Sequence, residues 1–331
     1  MSSFRAVMAD HLGPVDHYRI RTLPQRPVGA RSVRIAVKAA AVSFVDVLVA
    51  TGRYQARPPL PFIPGSECAG VVMEIGSAVQ GFSIGQAVLA AGSSGMFAEV
   101  VDVSCDLVWP MPISLSFAEA ASLLISYATA WHALVDRGRL CSGETLLVLG
   151  AGGATGYAAV QLGKVLGARV IAVASSEEKR ALALAGGADA ACDGRAANWR
   201  DAVLAATAGQ RIDVVFDPVG GDATEIAFRS LGYDGRHLIV GFPAGIAKLP
   251  TNLPLLKAAS LIGVNLQVYS QRFPEHSRES RQRLLELANT GRLKPVVARS
   301  YALEDFARAM SDAASGAHAG RIVLTVGDAM A

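Results

Sequence analysis

The sequence predicts an α/β protein built from a β-rich domain and a doubly wound parallel sheet. Three observations carry this. Residues 146–167 read as a strand, a glycine turn and a helix. From Leu146 onward, apolar strand-like runs alternate with helical segments. Residues 4–110 instead show short alternating runs broken by proline and glycine.

The stretch at 146–167 organises the chain. Leu146–Leu149 is a short apolar run of the kind a buried parallel strand requires. Glycines at 150, 152, 153 and 156 follow, and from Ala154 a helical stripe of Val160, Leu162, Val165 and Leu166 begins. Glycines let the chain swing tightly from strand to helix and let a pyrophosphate approach the main chain. The free N–H groups and dipole of the helix favour its charge. Gly150, Ala151, Gly152, Gly153, Ala154, Thr155 and Gly156 are therefore the expected cofactor-binding turn, with Ala151 where the first glycine of G-x-G-x-x-G usually stands. The alternative is a structural turn in a non-binding α/β unit.

Further strands are expected at 169–174, 213–217, 236–241 and 260–264, with helices at 154–166, 177–185, 199–207 and 223–231. Upstream, 31–39 alternates as a half-buried strand, prolines 58, 59, 61 and 64 make a rigid segment, and 64–90 has the recurrent glycines of a small barrel. Residues 116–134 read as helical. Downstream, helices are expected at 275–289 and 303–314, and the strand at 321–326 is expected to return to the first domain.

Composition bounds the function. The chain has 331 residues, enough for two domains, and a net charge of +3 without a dense basic run. No electrostatic footprint for nucleic acid or an anionic membrane is present. Cys68, Cys105, Cys141 and Cys192 are dispersed, which argues for reduced thiols rather than a disulfide frame or zinc knuckle. No signal-peptide core or long apolar span is seen, so the expected location is the cytoplasm.

The runs PGSECAG (64–70), GAGGATG (150–156), DPVGGD (217–222) and AGRIVLTV (319–326) resemble those of the zinc-free quinone oxidoreductases of the medium-chain dehydrogenase/reductase superfamily. The resemblance spans nearly the whole chain, in the family's order. It implies a GroES-like catalytic domain (1–124 and 268–331), an inserted Rossmann domain (125–267), and hydride transfer in a cleft between them. Zinc-dependent relatives place metal ligands where this chain has Ser43, Ser66 and a position near Ile125. Zinc takes thiolate, imidazole or carboxylate, so no metal is expected. Glu67 reads as a buried structural carboxylate.

Without a Lewis acid the hydride acceptor must already be electrophilic, such as a quinone or a conjugated enone. The resemblance places Ser43 and Asp46 in an active-site loop, although the family usually has Asn at the place of Ser43. It assigns Tyr54 to the acceptor oxygen and Thr129 to the nicotinamide; a half-buried tyrosine and a helix-packing threonine are the alternatives. Phe242 and Pro243 would edge the nicotinamide, and Asn265 would bind its carboxamide. His132 and His237 read as satisfied structural histidines.

An acid at the end of the second strand would select NAD by binding the ribose hydroxyls. Here Ala174 is followed by Ser175 and Ser176. These serines, with Lys179 and Arg180, suit a 2′-phosphate and hence NADPH, while Ser175–Glu178 also fits a capping box. Arg195 stands beside Gly194, where the family often has a phosphate-side tyrosine. The expected protein is a homodimer, with 261–266 as the candidate edge, acting on a small quinone or enone. Its rivals are an enoyl-thioester reductase and a nucleic-acid-binding or crystallin-like protein.

Overall fold

The structure, a computed structural model, describes residues 2–55 and 57–327. The chain divides into two compact units, Met1–Ile125 with Lys294–Ala331, and Ser126–Leu293.

The first unit is built on one curled sheet. Its spine is the long strand Ser32–Val42, which pairs antiparallel with Glu67–Ile75, Val100–Ser104 and Arg321–Thr325. Ala87–Ala91 and Val108–Pro110 extend the sheet on one side, and Val297–Ala302 on the other. A separate hairpin pairs Ser3–Met8 with Arg19–Pro24. Inward positions on the spine, Val33, Ile35 and Val37, pack with Val72, Phe97 and Leu324. Each such side chain stabilises the fold by about 1.5–3 kcal/mol relative to exposure. The strand at 321–325 does return to this unit, as expected.

The second unit is a six-stranded sheet, parallel throughout. Its spatial order is Ala190–Asp193, Arg169–Ala174, Thr145–Leu149, Ile212–Asp217, Leu231–Ile239, Ser260–Gly263. In chain order that is 3-2-1-4-5-6, the Rossmann arrangement, whose topological switch lies between Thr145–Leu149 and Ile212–Asp217. Leu147, Leu149, Ile171, Val173, Val215 and Phe228 form a core beneath the helices.

Some elements differ from expectation. The helical stretch at 116–134 is broken into Phe117–Ala120, Leu124–Trp131 and a wider π turn, His132–Arg137. Strands Ala190–Asp193 and Val297–Ala302, and helices Asn252–Lys257 and Leu266–Arg272, were not anticipated. Residues 268–293, assigned from sequence to the first domain, group with the second unit. The Tyr269 ring stacks on His132 at 4.0 Å, His276 Nε2 lies 3.2 Å from Asp136 Oδ1, and the helix Pro274–Asn289 follows directly.

Candidate functional site

In the second unit, the buried strand Thr145–Leu149 runs into Gly150, which has φ of +58°. A Cβ at Gly156 would lie 2.2 Å from the Gly150 carbonyl oxygen, so the helix can approach the strand only with glycine there. The Gly153 N–H donates to the Gly150 oxygen at 2.9 Å, and Gly153 caps the helix Ala154–Val165. Ala151 is buried and its N–H donates to Val173 at 3.1 Å. Helix geometry leaves the first amides, at Ala154, Thr155 and Gly156, without carbonyl partners in the helix. A cradle of bare backbone at a helix start, which any Cβ at Gly156 would fill, fits a dinucleotide pyrophosphate.

Opposite the turn stands the loop 217–221. A Cβ on Gly150 would lie 2.9 Å from Val219 Cγ2, so turn and loop are in contact. One carboxylate shapes the loop. Asp217 Oδ1 accepts from the amides of Val219 and Gly220, both at 2.9 Å. Its Oδ2 accepts from Thr224 Oγ1 at 2.6 Å and lies 3.0 Å from His237 Nε2. Burial alone would push this acid up, but the bonds from His237, Gly220 and Thr224 outweigh it and hold Asp217 below the usual carboxylate range. His237 is wholly buried, and its Nδ1 has no hydrogen-bond partner among the described residues. His237 is thus structural, as expected, but satisfied on one side only. His132 is held through Nδ1, 2.9 Å from Asp136 Oδ2.

At the end of the second strand, Ser176, and not Ser175, is the helix cap. Its Oγ accepts from the Lys179 amide at 3.3 Å, with Lys179 in place of the acid that a capping box needs. Lys179 packs on the glycine turn: a Cβ at Gly152 would lie 2.3 Å from Lys179 Cβ. Burial, then the neighbouring charge of Arg195, lowers the Lys179 ammonium pKa; Glu178 acts more weakly in the opposite sense. Arg180 is engaged elsewhere, 3.3 Å from Asp193 Oδ2. Arg195 is exposed, and its amide donates to Asp193.

The first unit carries a second constellation. Ser43 follows the spine and starts the helix Phe44–Ala50 through a reciprocal cap. Its Oγ accepts from the Asp46 amide at 3.0 Å and donates to Asp46 Oδ2 at 2.5 Å, and its amide donates to the same oxygen at 2.8 Å. Ser66 lies near enough to Asp46 to oppose its upward shift weakly. Glu67, 1% exposed, accepts from the Ile125 amide at 2.9 Å and is ion-paired with Arg321. Tyr54, half-buried, follows the helix, and its amide donates to Leu48.

Of the remaining expected residues, Thr129 is partly buried on the helix Leu124–Trp131. Phe242 is 50% exposed beyond the strand Leu231–Ile239. Asn265 is the cap of the helix Leu266–Arg272, with Oδ1 accepting from Val268 at 3.0 Å. Arg321 and Asp217 were not singled out. DPVGGD marked the Asp217 loop, but no local pattern links Arg321 to Glu67, 254 positions away.

Among the described residues, no group of three or more His, Cys, Asp or Glu is placed to hold a metal ion. The hydroxyls of Ser43 and Ser66 and the side chain of Ile125 do not fit catalytic zinc. No helix of the described residues is long and apolar enough to cross a membrane.

Comparison with known proteins agrees with this architecture. The family model for the alcohol dehydrogenase GroES-like domain matches residues 29–113, and that for zinc-binding dehydrogenases matches residues 154–282. The chain is similar to a quinone oxidoreductase-like protein 2 homolog of Nematostella vectensis, with 36% identity over 97% of this chain and 89% of the relative. It is 38% identical to quinone oxidoreductase-like protein 2 of Bos taurus, over 93% and 88%. A solved probable oxidoreductase from Mycobacterium abscessus superposes with a TM-score of 0.88 at 34% identity, over 98% of this chain and 100% of that one. With a GroES-like unit, a Rossmann sheet and a turn shaped for a nicotinamide dinucleotide, the chain belongs to the quinone oxidoreductases of the medium-chain dehydrogenase/reductase superfamily and is an oxidoreductase.

Proposed function

We propose that the enzyme reduces quinones and activated α,β-unsaturated carbonyls with NADPH. The observation that carries the cofactor choice is the pairing of Lys179 with Arg195. Two cations whose charges oppose one another stand beside the phosphate turn, where an NAD-selective protein would place an acid. A 2′-phosphate there relieves their repulsion and adds charge-assisted hydrogen bonds, with Ser175 and Ser176 as neutral donors.

The nicotinamide supplies the hydride when bound. The chain's own residues orient the partners and manage the proton. In this reading Tyr54 and Ser43 donate to the acceptor oxygen, Thr129 and Asn265 hold the carboxamide, and Phe242 covers the ring edge. A donor set of hydroxyls stabilises an oxyanion less than a metal does, so the acceptor must be conjugated. The reading takes the protein as a homodimer joined through the edge strand Ser260–Gly263, and sedimentation tests that part.

Initial rates with NADPH and NADH, using 1,4-benzoquinone and a crotonyl thioester as alternative acceptors, test the rest. NADPH with the quinone should be preferred. Lys179→Ala should raise the KM for NADPH about 10- to 100-fold, with little change for NADH. Equal efficiency with both cofactors would refute the cofactor assignment. Faster turnover of the thioester would replace the acceptor.

A further inference from the structure

We propose that Asp46 and Glu67 together hold one proton in the resting enzyme, and that Ser43 passes it to the oxygen of the reduced acceptor. The second half rests on the acceptor assignment above; the first half does not.

The geometry is one of unequal charges. Asp46 is 6% exposed and Glu67 is 1% exposed. One guanidinium, that of Arg321, itself 7% exposed, acts on both carboxyls, and it is ion-paired with Glu67. The remaining hydrogen bonds are neutral: Ser43 to Asp46, and the Ile125 amide to Glu67. Cys68, the other titratable neighbour, remains a thiol, pushed up to about 12 by burial and by Glu67. Two carboxylates facing one cation would leave a net buried negative charge, which proteins avoid by protonating one acid. Burial pushes both acids up, partly opposed by Arg321, and Asp46 raises Glu67 further. Because Glu67 has the guanidinium, the proton resides on Asp46.

The hydrogen bonds supply a route. Ser43 Oγ is 2.5 Å from Asp46 Oδ2, so with the proton on Oδ2 the acid donates to Ser43 Oγ and leaves the serine hydrogen free for the acceptor; Ser66, near the same carboxyl, is partly exposed. With the reduced nicotinamide bound, the acceptor would gain one hydride, which carries both electrons, and the nicotinamide would be oxidised. The Ser43 O–H bond breaks as its proton moves to the acceptor oxygen. The Asp46 O–H bond breaks as that proton re-forms the Ser43 hydroxyl, leaving Asp46 ionised beside Glu67. Solvent then reprotonates Asp46 on the side of the partly exposed Ser66. Asp46 and Glu67 thus act through Ser43, as positioning residues that store the proton.

Infrared spectroscopy of the full-length protein, with no cofactor or acceptor, tests the stored proton. At pH 7 the protein should show the C=O stretch of a buried protonated carboxylic acid, shifting in D2O. Asp46→Asn and Glu67→Gln should each abolish it, since either leaves one acid for one cation. Absence of the band, or its survival in either variant, would overturn the proposal. Should Asp46→Asn fail to fold, Glu67→Gln alone gives the same answer. For the transfer, Ser43→Ala should keep the band but slow single-turnover quinone reduction about 100-fold, with rescue by Ser43→Thr. An unchanged rate would remove Ser43 from the path. If no acceptor oxidises NADPH, the functional assignment fails while the infrared result stands.

Discussion

The two units bury acids of opposite character. In the Rossmann unit, Asp217 is 1% exposed yet held below the usual carboxylate range, because two amides, a hydroxyl and an imidazole converge on one carboxylate. In the GroES-like unit, Asp46 and Glu67 are also buried but pushed up, because burial outweighs their few hydrogen bonds and the single guanidinium of Arg321. Burial alone therefore does not decide charge; the balance of donors and counter-charges does. The Rossmann unit uses an ionised acid as a fixed strut for a loop, and the GroES-like unit keeps an acid ready to change state.

The sharpest way to break this contrast is to delete the strut. Asp217→Ala leaves two loop amides, the Thr224 hydroxyl and the His237 imidazole without their partner and should cost about 1–3 kcal/mol in urea unfolding. It should also weaken NADPH binding measured calorimetrically, since the loop walls Gly150. A loss below about 1 kcal/mol would show that Asp217 is not the strut.

A smaller and opposite pH response distinguishes the units. Asp217 has a depressed folded pKa, so its stabilisation is present above the unfolded value of about 4 and is lost as pH falls through the folded value. Asp46 and Glu67 have raised values, so their ionisation costs stability as pH rises from about 4 through the folded values. Each proton contributes up to about 1.4 kcal/mol per pH unit in its window. Acidifying from pH 7 to 5 should therefore stabilise the GroES-like unit and leave the Asp217 contribution intact. Amide exchange resolved by unit checks this, and Glu67→Gln should flatten the first response.

The mildest test uses the thiols. Cys141 is exposed, whereas Cys68 and Cys192 are buried, one in each unit. Iodoacetamide should label Cys141 in the native protein, and Cys68 and Cys192 only after unfolding. Early labelling of Cys68 would mean that the acid pair is hydrated, against the stored-proton account.

How much was legible in the sequence follows from how local each feature is. The strands at 145–149 and 169–174 stood out because LLVL and RVIAVA are continuous apolar runs of strand length. Ala190–Asp193 did not, because four residues reading AACD lack β-branched side chains. Asn252–Lys257 was hidden by Pro254, which argues against a helix except in the first turn, where it lies. Val297–Ala302 is a sheet edge with exposed Arg299 and Ser300, so its pattern is diluted. The strand, glycine turn and helix around 150–156 were readable from their spacing. The Ser43–Asp46 cap was visible as S-x-x-D, but its alignment with a pocket loop drew attention from the capping role. The Glu67–Arg321 pair joins segments 254 positions apart, and only tertiary structure brings them together.

That separation has a consequence for biosynthesis. The entire Rossmann unit, 126–293, is translated between Glu67 and its counter-ion. A nascent chain can therefore close its nucleotide module first, while the β-sheet that started earlier waits on the ribosome for Arg321–Thr325 to zip against Ser32–Val42. Until then the two acids lack their guanidinium, so the proton store is assembled only after the Rossmann unit has been translated.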